Sequence, residues 1–173
     1  MENDVELQNT IIRIIDLLIE TFKNGNKLLI FGNGGSAADS QHFATELVSR
    51  FKKERKALNA EALTTDTSCI TAISNDYSFD NIFARQVEAK ANEFDVLIGI
   101  STSGNSRNVV EAFKQGIKQN LVMIALTGDF ENMECEKYAD LIVKVPSKDT
   151  ARIQEGHLFI YHTICEFVEK QFE

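Results

Sequence analysis

Two loops of small and polar residues have the composition of an anion-binding site. The first, residues 32–36, follows a short apolar run at residues 27–31, and the second, residues 101–106, follows another at residues 96–100. A helical segment comes after each loop, so its free N–H groups and the positive end of its dipole would face the loop. The same residues would also make an ordinary turn and helix cap. The hydroxyl groups of the second loop, which suit a phosphate group beside the flexible Gly104, are Ser101, Thr102, Ser103 and Ser106.

The first loop also matches the looser form of a dinucleotide-binding fingerprint, Gly32-x-Gly34-x-x-Ala37. That fingerprint expects an acidic residue about 20 positions further on, whereas the nearest candidate, Asp66, lies well beyond that distance. The loop also lacks the Gly-Lys-Ser/Thr of a Walker A motif. A nucleotide cofactor is therefore the less favoured interpretation of this loop.

His42 and Glu46 have a spacing that can ligate a metal ion. They stand at i and i+4 in the helical segment that follows the first loop, so they share one helix face near the carboxyl end of a strand. Such a pair is also common on solvated helix surfaces. The last helical segment adds Gln154, His157 and His162 among apolar residues, where buried polar groups need partners.

Short apolar runs alternate with segments of helical periodicity along the chain. Runs that are apolar on both faces predict a five-stranded parallel sheet, flanked by helices, in a single doubly wound α/β domain over residues 1–173. Gly25 is placed to end the first helix, and Thr150 can cap the last. Strands are predicted at residues 27–31, 60–63, 96–100, 121–126 and 141–145. Helices are predicted at residues 5–22 and 37–51, after the second loop to about residue 119, and from about residue 151.

The composition describes an ordinary globular chain with an acidic balance. Its 173 residues include 18 Lys and Arg against 26 Asp and Glu, for a net charge of -8, which argues against nucleic acid or an anionic membrane as partners. No apolar stretch approaches the ~20 residues of a membrane span, and the first residues lack the basic and apolar regions of a signal peptide. Cys69, Cys135 and Cys165 form no paired motif. We therefore expect reduced, buried thiols, a cytoplasmic location, and neither a nucleic-acid nor a membrane partner.

Five motifs cover nearly the whole chain in a defined order. They are Gly32-Asn33-Gly34-Gly35-Ser36, Gln41-His42-Phe43-Ala44-x-Glu46-Leu47, Asn75-Asp76, Gly99-Ile100-Ser101-Thr102-Ser103-Gly104-Asn105-Ser106, and Arg152-Ile153-Gln154-Glu155-x-His157 with His162. In this combination they resemble the phosphoheptose isomerases of the sugar isomerase (SIS) family. The resemblance implies the SIS fold and an aldose–ketose isomerase that converts sedoheptulose 7-phosphate to D-glycero-D-manno-heptose 7-phosphate through an enediol.

The resemblance also implies which residues act. It implies one zinc ion per subunit, held by His42, Glu46, Gln154 and His162, with Glu46 and His162 as the proton-transfer pair. Moving a proton between C2 and C1 of the open-chain sugar needs a base and an acid, and a carboxylate and an imidazole suit these roles. Zinc could hold the pair in place or polarise a sugar oxygen. The implied sugar-phosphate contacts are Asn33, Gly34, Gly35, Glu46, Asn75, Asp76, Ser101, Thr102, Ser103, Ser106 and Gln154.

Gln154 and His162 stand eight residues apart on one predicted helix, a rise of about 12 Å. For both to reach one ion, their side chains must lean together, the helix must be irregular near Gly156, or the two must come from different subunits. The last option makes an oligomer obligatory and places the active sites at subunit interfaces. The resemblance implies a homotetramer, and the first helix, about residues 5–24, is expected to contribute to its assembly.

Two other functions on the same fold are open alternatives. One is a non-catalytic SIS protein that binds a replication initiator, and the other is an isomerase of a different sugar phosphate. The non-catalytic protein lacks an acid and a histidine at the positions that match Glu46 and His162, so the presence of both here favours an enzyme. A dinucleotide-dependent enzyme would leave the second loop without a role.

Overall fold

The computed structural model describes residues 4–172, and within this range six α-helices surround a five-stranded sheet. The five predicted strands are confirmed, with ends that differ from the prediction by at most one or two residues. Short 3₁₀ turns occur at Phe79–Asn81 and Glu134–Lys137. In chain order the elements are α1 (Val5–Lys23), β1 (Leu28–Gly32), α2 (Gly35–Val48), β2 (Ala60–Ala62), α3 (Thr67–Asp76), α4 (Ala84–Lys90), β3 (Val96–Ile100), α5 (Arg107–Lys118), β4 (Val122–Gly128), β5 (Leu141–Val145) and α6 (Thr150–Glu169).

The strands pair in the order β2-β1-β3-β4-β5, and every neighbouring pair is parallel. After β1 the chain moves to one edge of the sheet with β2 and then returns to the other side of β1 with β3. The gap between β1 and β3 is therefore the switch point of the topology. Their carboxyl ends are level, because Gly32 pairs with Ile100. The two loops that the sequence singled out thus meet where open parallel sheets bind ligands.

Both faces of the sheet are buried under helices. Successive residues of β1 alternate between two apolar cores, with Ile30 on the side of α1, α2 and α6 and Phe31 on the side of α4 and α5. In β3, Ile98 and Leu97 divide in the same way. Strands whose side chains are apolar on both faces require a helical layer on each side, so the doubly wound arrangement is confirmed.

The final helix begins differently from the prediction. Asp149, not Thr150, is the capping residue, and Thr150 is the first residue inside α6. The Asp149 carboxylate accepts hydrogen bonds from the N–H groups of Ala151 at 2.9 Å and Arg152 at 3.3 Å. A negative charge at this position also interacts favourably with the positive end of the helix dipole, which a threonine hydroxyl cannot do.

The first two helices end in different ways. Gly25 follows α1 with a φ of 79°, a left-handed conformation that glycine adopts without strain, so its predicted role is confirmed. α2 ends at Val48, three residues before its predicted limit at residue 51. The N–H groups of residues 51–53 bind the carboxylate of Glu169 instead of continuing the helix.

The three cysteines are unpaired. Cys135 and Cys165 are buried as predicted, whereas Cys69 is only half-buried. Burial raises the pKa of Cys135 to about 11 and also raises the pKa of Cys165, so both thiols are protonated at neutral pH. Among residues 4–172, no helix has the length and apolar character needed to cross a membrane.

Candidate active site

The glycine loop after β1 brings the chain close to both β3 and α6. A Cβ atom on Gly32 would lie 2.8 Å from the carbonyl oxygen of Ile100, where the two strands end. This distance is too short for a residue with a side chain, so the position requires glycine. A Cβ atom on Gly35 would overlap the side-chain amide of Gln154. The structure therefore places Gln154 directly against the start of α2, beside the loop that the resemblance assigns to the substrate.

A pair of asparagine side chains joins the two loops. Asn33 donates from Nδ2 to Oδ1 of Asn108 at 2.9 Å, and Asn108 donates from Nδ2 to Oδ1 of Asn33 at 2.8 Å. Asn108 lies in the first turn of α5 and is buried. Sequence reasoning missed Asn108, although an asparagine next to the buried Val109 and Val110 signals a need for a polar partner.

The second loop turns tightly around its hydroxyl groups. Ser101 is buried, and its Oγ lies 2.9 Å from Oγ of Ser106 and accepts a hydrogen bond from the N–H of Ser106 at 3.4 Å. Gly104 has a φ of 68°, and its N–H donates to the carbonyl of Ser101 at 2.9 Å. Thr102 is half-buried and Ser103 is exposed on the same turn. Ser106 precedes α5, but its hydroxyl makes no capping hydrogen bond, so the end of this helix is available to an anion.

Asn75 and Asp76 stand apart from these loops at the end of α3. Both side chains are exposed, and Asn75 donates from Nδ2 to Oδ1 of Asp76 at 2.8 Å. Within residues 4–172, no hydrogen bond or ion pair connects them to the loops or to the histidines of the site. The structure of a single chain does not bring these two residues to the other proposed site residues, and their contact with the substrate stays a prediction.

His42, Glu46 and His162 form one cluster between α2 and α6. Nε2 of His42 lies 3.0 Å from Oε1 of Glu46 and 3.4 Å from Nε2 of His162, and one ligand atom of each residue lies within 4.8 Å of the others. Tyr161 is fully buried and places its Oη 3.0 Å from Nδ1 of His42. The ring of Phe51 packs against the His162 ring, with 5.4 Å between the centroids. Helix packing thus adds a residue 120 positions along the chain to the local His42–Glu46 pair.

Burial and the charge of His42 favour the neutral form of His162. Burial lowers its pKa, the charge of His42 lowers it further, and Glu46 opposes both effects. Burial also raises the pKa of Tyr161, so the hydroxyl beside His42 stays protonated. Burial raises the pKa of Asp39, although a hydrogen bond with Tyr161 and the charge of His42 both act to lower it. A neutral imidazole is the form that accepts a proton or binds a metal.

The donor atoms of the cluster fit a zinc ion. Two imidazole nitrogens and a carboxylate oxygen are ligands that zinc prefers. Two nitrogen ligands of a tetrahedral zinc ion lie about 3.3 Å apart, which is close to the 3.4 Å between Nε2 of His42 and Nε2 of His162. The hydroxyl of Tyr161 at Nδ1 of His42 is an outer partner of the kind that orients a metal-bound histidine. His42, Glu46 and His162 can therefore hold zinc after a small side-chain movement that closes their widest separation, up to 4.8 Å, to about 3.3 Å.

Gln154 does not join this cluster within one chain. α6 is one unbroken helix, so no irregularity in it shortens the distance from Gln154 to His162. Gln154 contacts Gly35, which lies two helical turns before His42, or about 10 Å along α2. The sequence allowed three ways for Gln154 and His162 to bind one ion. The arrangement that agrees best with this single chain is the one in which they come from different subunits, and it stays a prediction.

Comparisons with known proteins agree with this architecture. A family model described as the SIS domain matches residues 2–128. The phosphoheptose isomerase of Campylobacter jejuni is 55% identical over 166 residues, covering 96% of this chain and 89% of that protein, and the Geobacter sulfurreducens phosphoheptose isomerase is 55% identical with 96% and 87% covered. The solved phosphoheptose isomerase of Francisella tularensis superposes with a TM-score of 0.90 at 38% identity, covering 96% of this chain and 90% of that chain. The corresponding enzyme of Neisseria gonorrhoeae gives a TM-score of 0.87 at 43% identity, covering 94% and 86%. The chain belongs to the phosphoheptose isomerase family of SIS-domain proteins.

Proposed function

We propose that this protein is a phosphoheptose isomerase, an enzyme that converts sedoheptulose 7-phosphate to D-glycero-D-manno-heptose 7-phosphate through an enediol. The observation that carries the proposal is that Glu46 and His162, a carboxylate and a neutral imidazole from different helices, meet at His42. Proton transfer between adjacent carbons needs such a pair. The names of the relatives support the substrate, and both groups together favour an enzyme over a non-catalytic SIS protein.

The two loops at the switch point are proposed to bind the sugar phosphate. The hydroxyl groups of the second loop and the first turn of α5 would bind the phosphate group, in a protein whose net charge of -8 offers no general attraction for an anion. The glycine loop and its neighbours would contact the sugar. The proposed phosphate contacts are Ser101, Thr102, Ser103 and Ser106, and the proposed sugar contacts are Asn33, Gly34, Gly35, Glu46, Asn75, Asp76 and Gln154.

Isomerisation requires one proton to leave C1 and one to reach C2, and we assign these transfers to Glu46 and His162. One group takes the C1 proton, the C1–H electron pair forms the double bond between C1 and C2, and the C2 oxygen gains a proton, which gives the enediol. A proton then returns to C2 while the O1 hydroxyl loses its proton, which gives the aldehyde at C1. Zinc held by the cluster would polarise the C1 or C2 oxygen as a Lewis acid.

We further propose one zinc ion per subunit. Its support is the donor set of His42, Glu46 and His162 and the 3.4 Å between the two imidazole nitrogens, which matches the spacing of zinc ligands. Gln154 is proposed as the fourth ligand, contributed by another subunit. Elemental analysis of the purified protein tests the metal, and the expected result is about one zinc per chain.

A homotetramer with active sites at subunit interfaces is the proposed assembly. Its support is an apolar groove of about 720 Å³ between α1 and α6, where Ile12, Phe159 and Phe167 are exposed. Apolar patches of this kind are typical of protein–protein contacts. Gln154 and His162 lie on the same helix, so a subunit contact along α6 would place both near a shared interface. Light scattering should give the tetramer mass, and Ile12→Glu should reduce it; a monomeric wild type would refute the assembly.

A cytoplasmic location and the absence of a nucleic-acid partner also stay predictions. The unpaired state of the cysteines supports the first, because disulfides are rare in that compartment. The acidic net charge supports the second.

Incubation of the zinc-loaded protein with sedoheptulose 7-phosphate, followed by NMR of the products, tests the activity. We expect the aldoheptose phosphate to appear without nucleotide or nicotinamide. Absence of turnover combined with binding of a replication initiator would establish the non-catalytic alternative. Turnover of a shorter sugar phosphate alone would establish an isomerase of different specificity.

A further inference from the structure

The segment between α2 and β2, residues 49–59, contains no regular secondary structure, yet it adjoins the cluster of His42, Glu46 and His162. Its main-chain groups cannot bond to one another as in a helix or sheet, so they need other partners. Two buried side chains supply five of these hydrogen bonds, three to Glu169 and two from Arg55.

Glu169 is the last residue of α6 and binds three consecutive N–H groups. Its Oε1 accepts from Phe51 at 2.9 Å, and its Oε2 accepts from Lys52 at 2.8 Å and from Lys53 at 3.0 Å. Burial alone would raise the pKa of Glu169, but the three N–H groups and the charge of Arg55 hold it below its ordinary value. The helix dipole opposes a carboxylate in the last turn of a helix, so the position of this buried charge depends on these partners.

The side chain of Arg55 is wholly buried and donates to three carbonyl groups. Its Nη1 donates to the carbonyl oxygens of Ser49 at 3.2 Å and Lys56 at 3.1 Å, and its Nη2 donates to that of Glu46 at 2.8 Å. Its Nε lies 3.5 Å from Oε1 of Glu169, which makes a buried ion pair. A guanidinium presents this many donors in fixed directions, which a lysine ammonium does not.

Both residues of this ion pair support members of the cluster. Glu46 lies in the last turn of α2, where carbonyl groups lack partners within the helix, and Arg55 supplies a partner for the carbonyl of Glu46. Glu169 binds the main chain of Phe51, whose ring packs on His162. The ion pair therefore connects the end of α2 with the end of α6, and these two helices carry the whole cluster.

We propose that Arg55 and Glu169 are positioning residues, whose ion pair holds Glu46 and His162 at the separation that the active site requires. The inference rests on the proposed function, because proton transfer by Glu46 and His162 requires a fixed separation between them. Loss of the ion pair should therefore slow proton transfer and weaken zinc binding. It should affect the apparent affinity for substrate less than it affects proton transfer, because Glu46 is only one of the proposed sugar contacts and the two loops at the switch point lie elsewhere in the fold.

Two conservative variants test this role. Glu169→Gln keeps the shape of the side chain and removes its charge, and Arg55→Lys keeps the charge and removes the fork of donors. Measured well below the melting temperature of each variant, kcat should fall about 10-fold or more, and zinc affinity, measured by competition with a chromophoric chelator, should fall about 10- to 100-fold. KM for sedoheptulose 7-phosphate should change by a smaller factor than kcat.

Asp95→Asn is a matched control for stability. Asp95 is also a buried carboxylate, paired with Nζ of Lys27 at 2.6 Å, and it accepts the N–H groups of Lys27 at 2.9 Å and Asn92 at 2.7 Å. It precedes β3, at the end of the sheet opposite the loops. This variant should lower the melting temperature as the other two do, while kcat and zinc affinity stay at their wild-type values.

The outcomes separate the inference from the proposed function. Variants of Arg55 and Glu169 that lose melting temperature as Asp95→Asn does, but keep kcat and zinc affinity, would overturn the positioning role. A wild type that binds zinc without isomerising the sugar refutes the proposed function, and the zinc affinities then decide the inference alone. A wild type that does neither overturns both. If either variant fails to fold, the other decides the inference by the same two measurements, because each weakens the ion pair from a different side.

Discussion

Lowering the pH from 7 to 5 should destabilise the protein through one buried histidine, His157. Its side chain is wholly buried on α6, and its Nε2 donates to the carbonyl oxygen of Thr127 at 3.1 Å. Its Nδ1 is buried and, among the residues that the structure describes, has no hydrogen-bond partner. Burial lowers the pKa of His157 to about 4, against the opposing effect of the Thr127 carbonyl. A second proton would thus place an unpaired charge inside the protein.

The difference in pKa determines the sign and the size of the effect. The unfolded chain takes up the proton near pH 6.5, whereas the folded chain does so only near pH 4. The unfolded state therefore binds more protons between these values, and stability is lost as the pH falls below 6.5. The full loss corresponds to about 3 kcal/mol, of which about 2 kcal/mol is lost by pH 5. This is a substantial part of the stability of a typical domain.

Urea unfolding of the wild type and of His157→Gln at pH 7, 6 and 5 measures the effect, at a constant protomer concentration because the unfolding of oligomers depends on it. Glutamine can donate an N–H to Thr127 but does not titrate, so the variant removes the pH dependence of this position alone. Between pH 7 and pH 5 the wild type should lose about 2 kcal/mol more than the variant. Parallel losses in the two proteins would refute the reasoning, whatever their stabilities at pH 7.

Three further predictions concern the proposed active site. Glu46→Gln and His162→Asn, assayed at saturating zinc, should each lower kcat at least ~10²-fold with little change in melting temperature. Full activity of either variant at saturating zinc would restrict that residue to metal binding. Ser103→Ala and Ser106→Ala should chiefly raise KM in steady-state kinetics, because phosphate binding is shared by the ground state and the transition state. Wild-type KM values in both variants would show that this loop is a structural turn and does not bind the phosphate. Removal of metal by a chelator should suppress turnover and added zinc should restore it, whereas full activity in protein shown to be metal-free would exclude the zinc assignment.

Local patterns in the sequence were sufficient for the five strands, for four of the six helices that the structure describes, and for several parts of the site, whereas α3 and α4 were not predicted. The five strands follow from apolar runs of a few residues each, and their flanking helices follow from a period of 3.6 residues. The same period makes His42 and Glu46 neighbours on one helix face. Glycine and hydroxyl residues after two of the strands were enough to locate the loops of the switch point. Each of these inferences depends on residues close together in the chain.

Only the tertiary structure decided which of these parts meet. It placed β1 beside β3, joined Asn33 to Asn108, and brought His162 to His42 with Tyr161 behind it. It also ended α2 early, because the carboxylate of Glu169 binds the N–H groups that would have continued the helix. These contacts join residues that are far apart in the chain, and they depend on how whole helices pack on the sheet. That packing is the sum of many weak apolar contacts, and no local periodicity encodes which distant side chain will be the partner of a given residue.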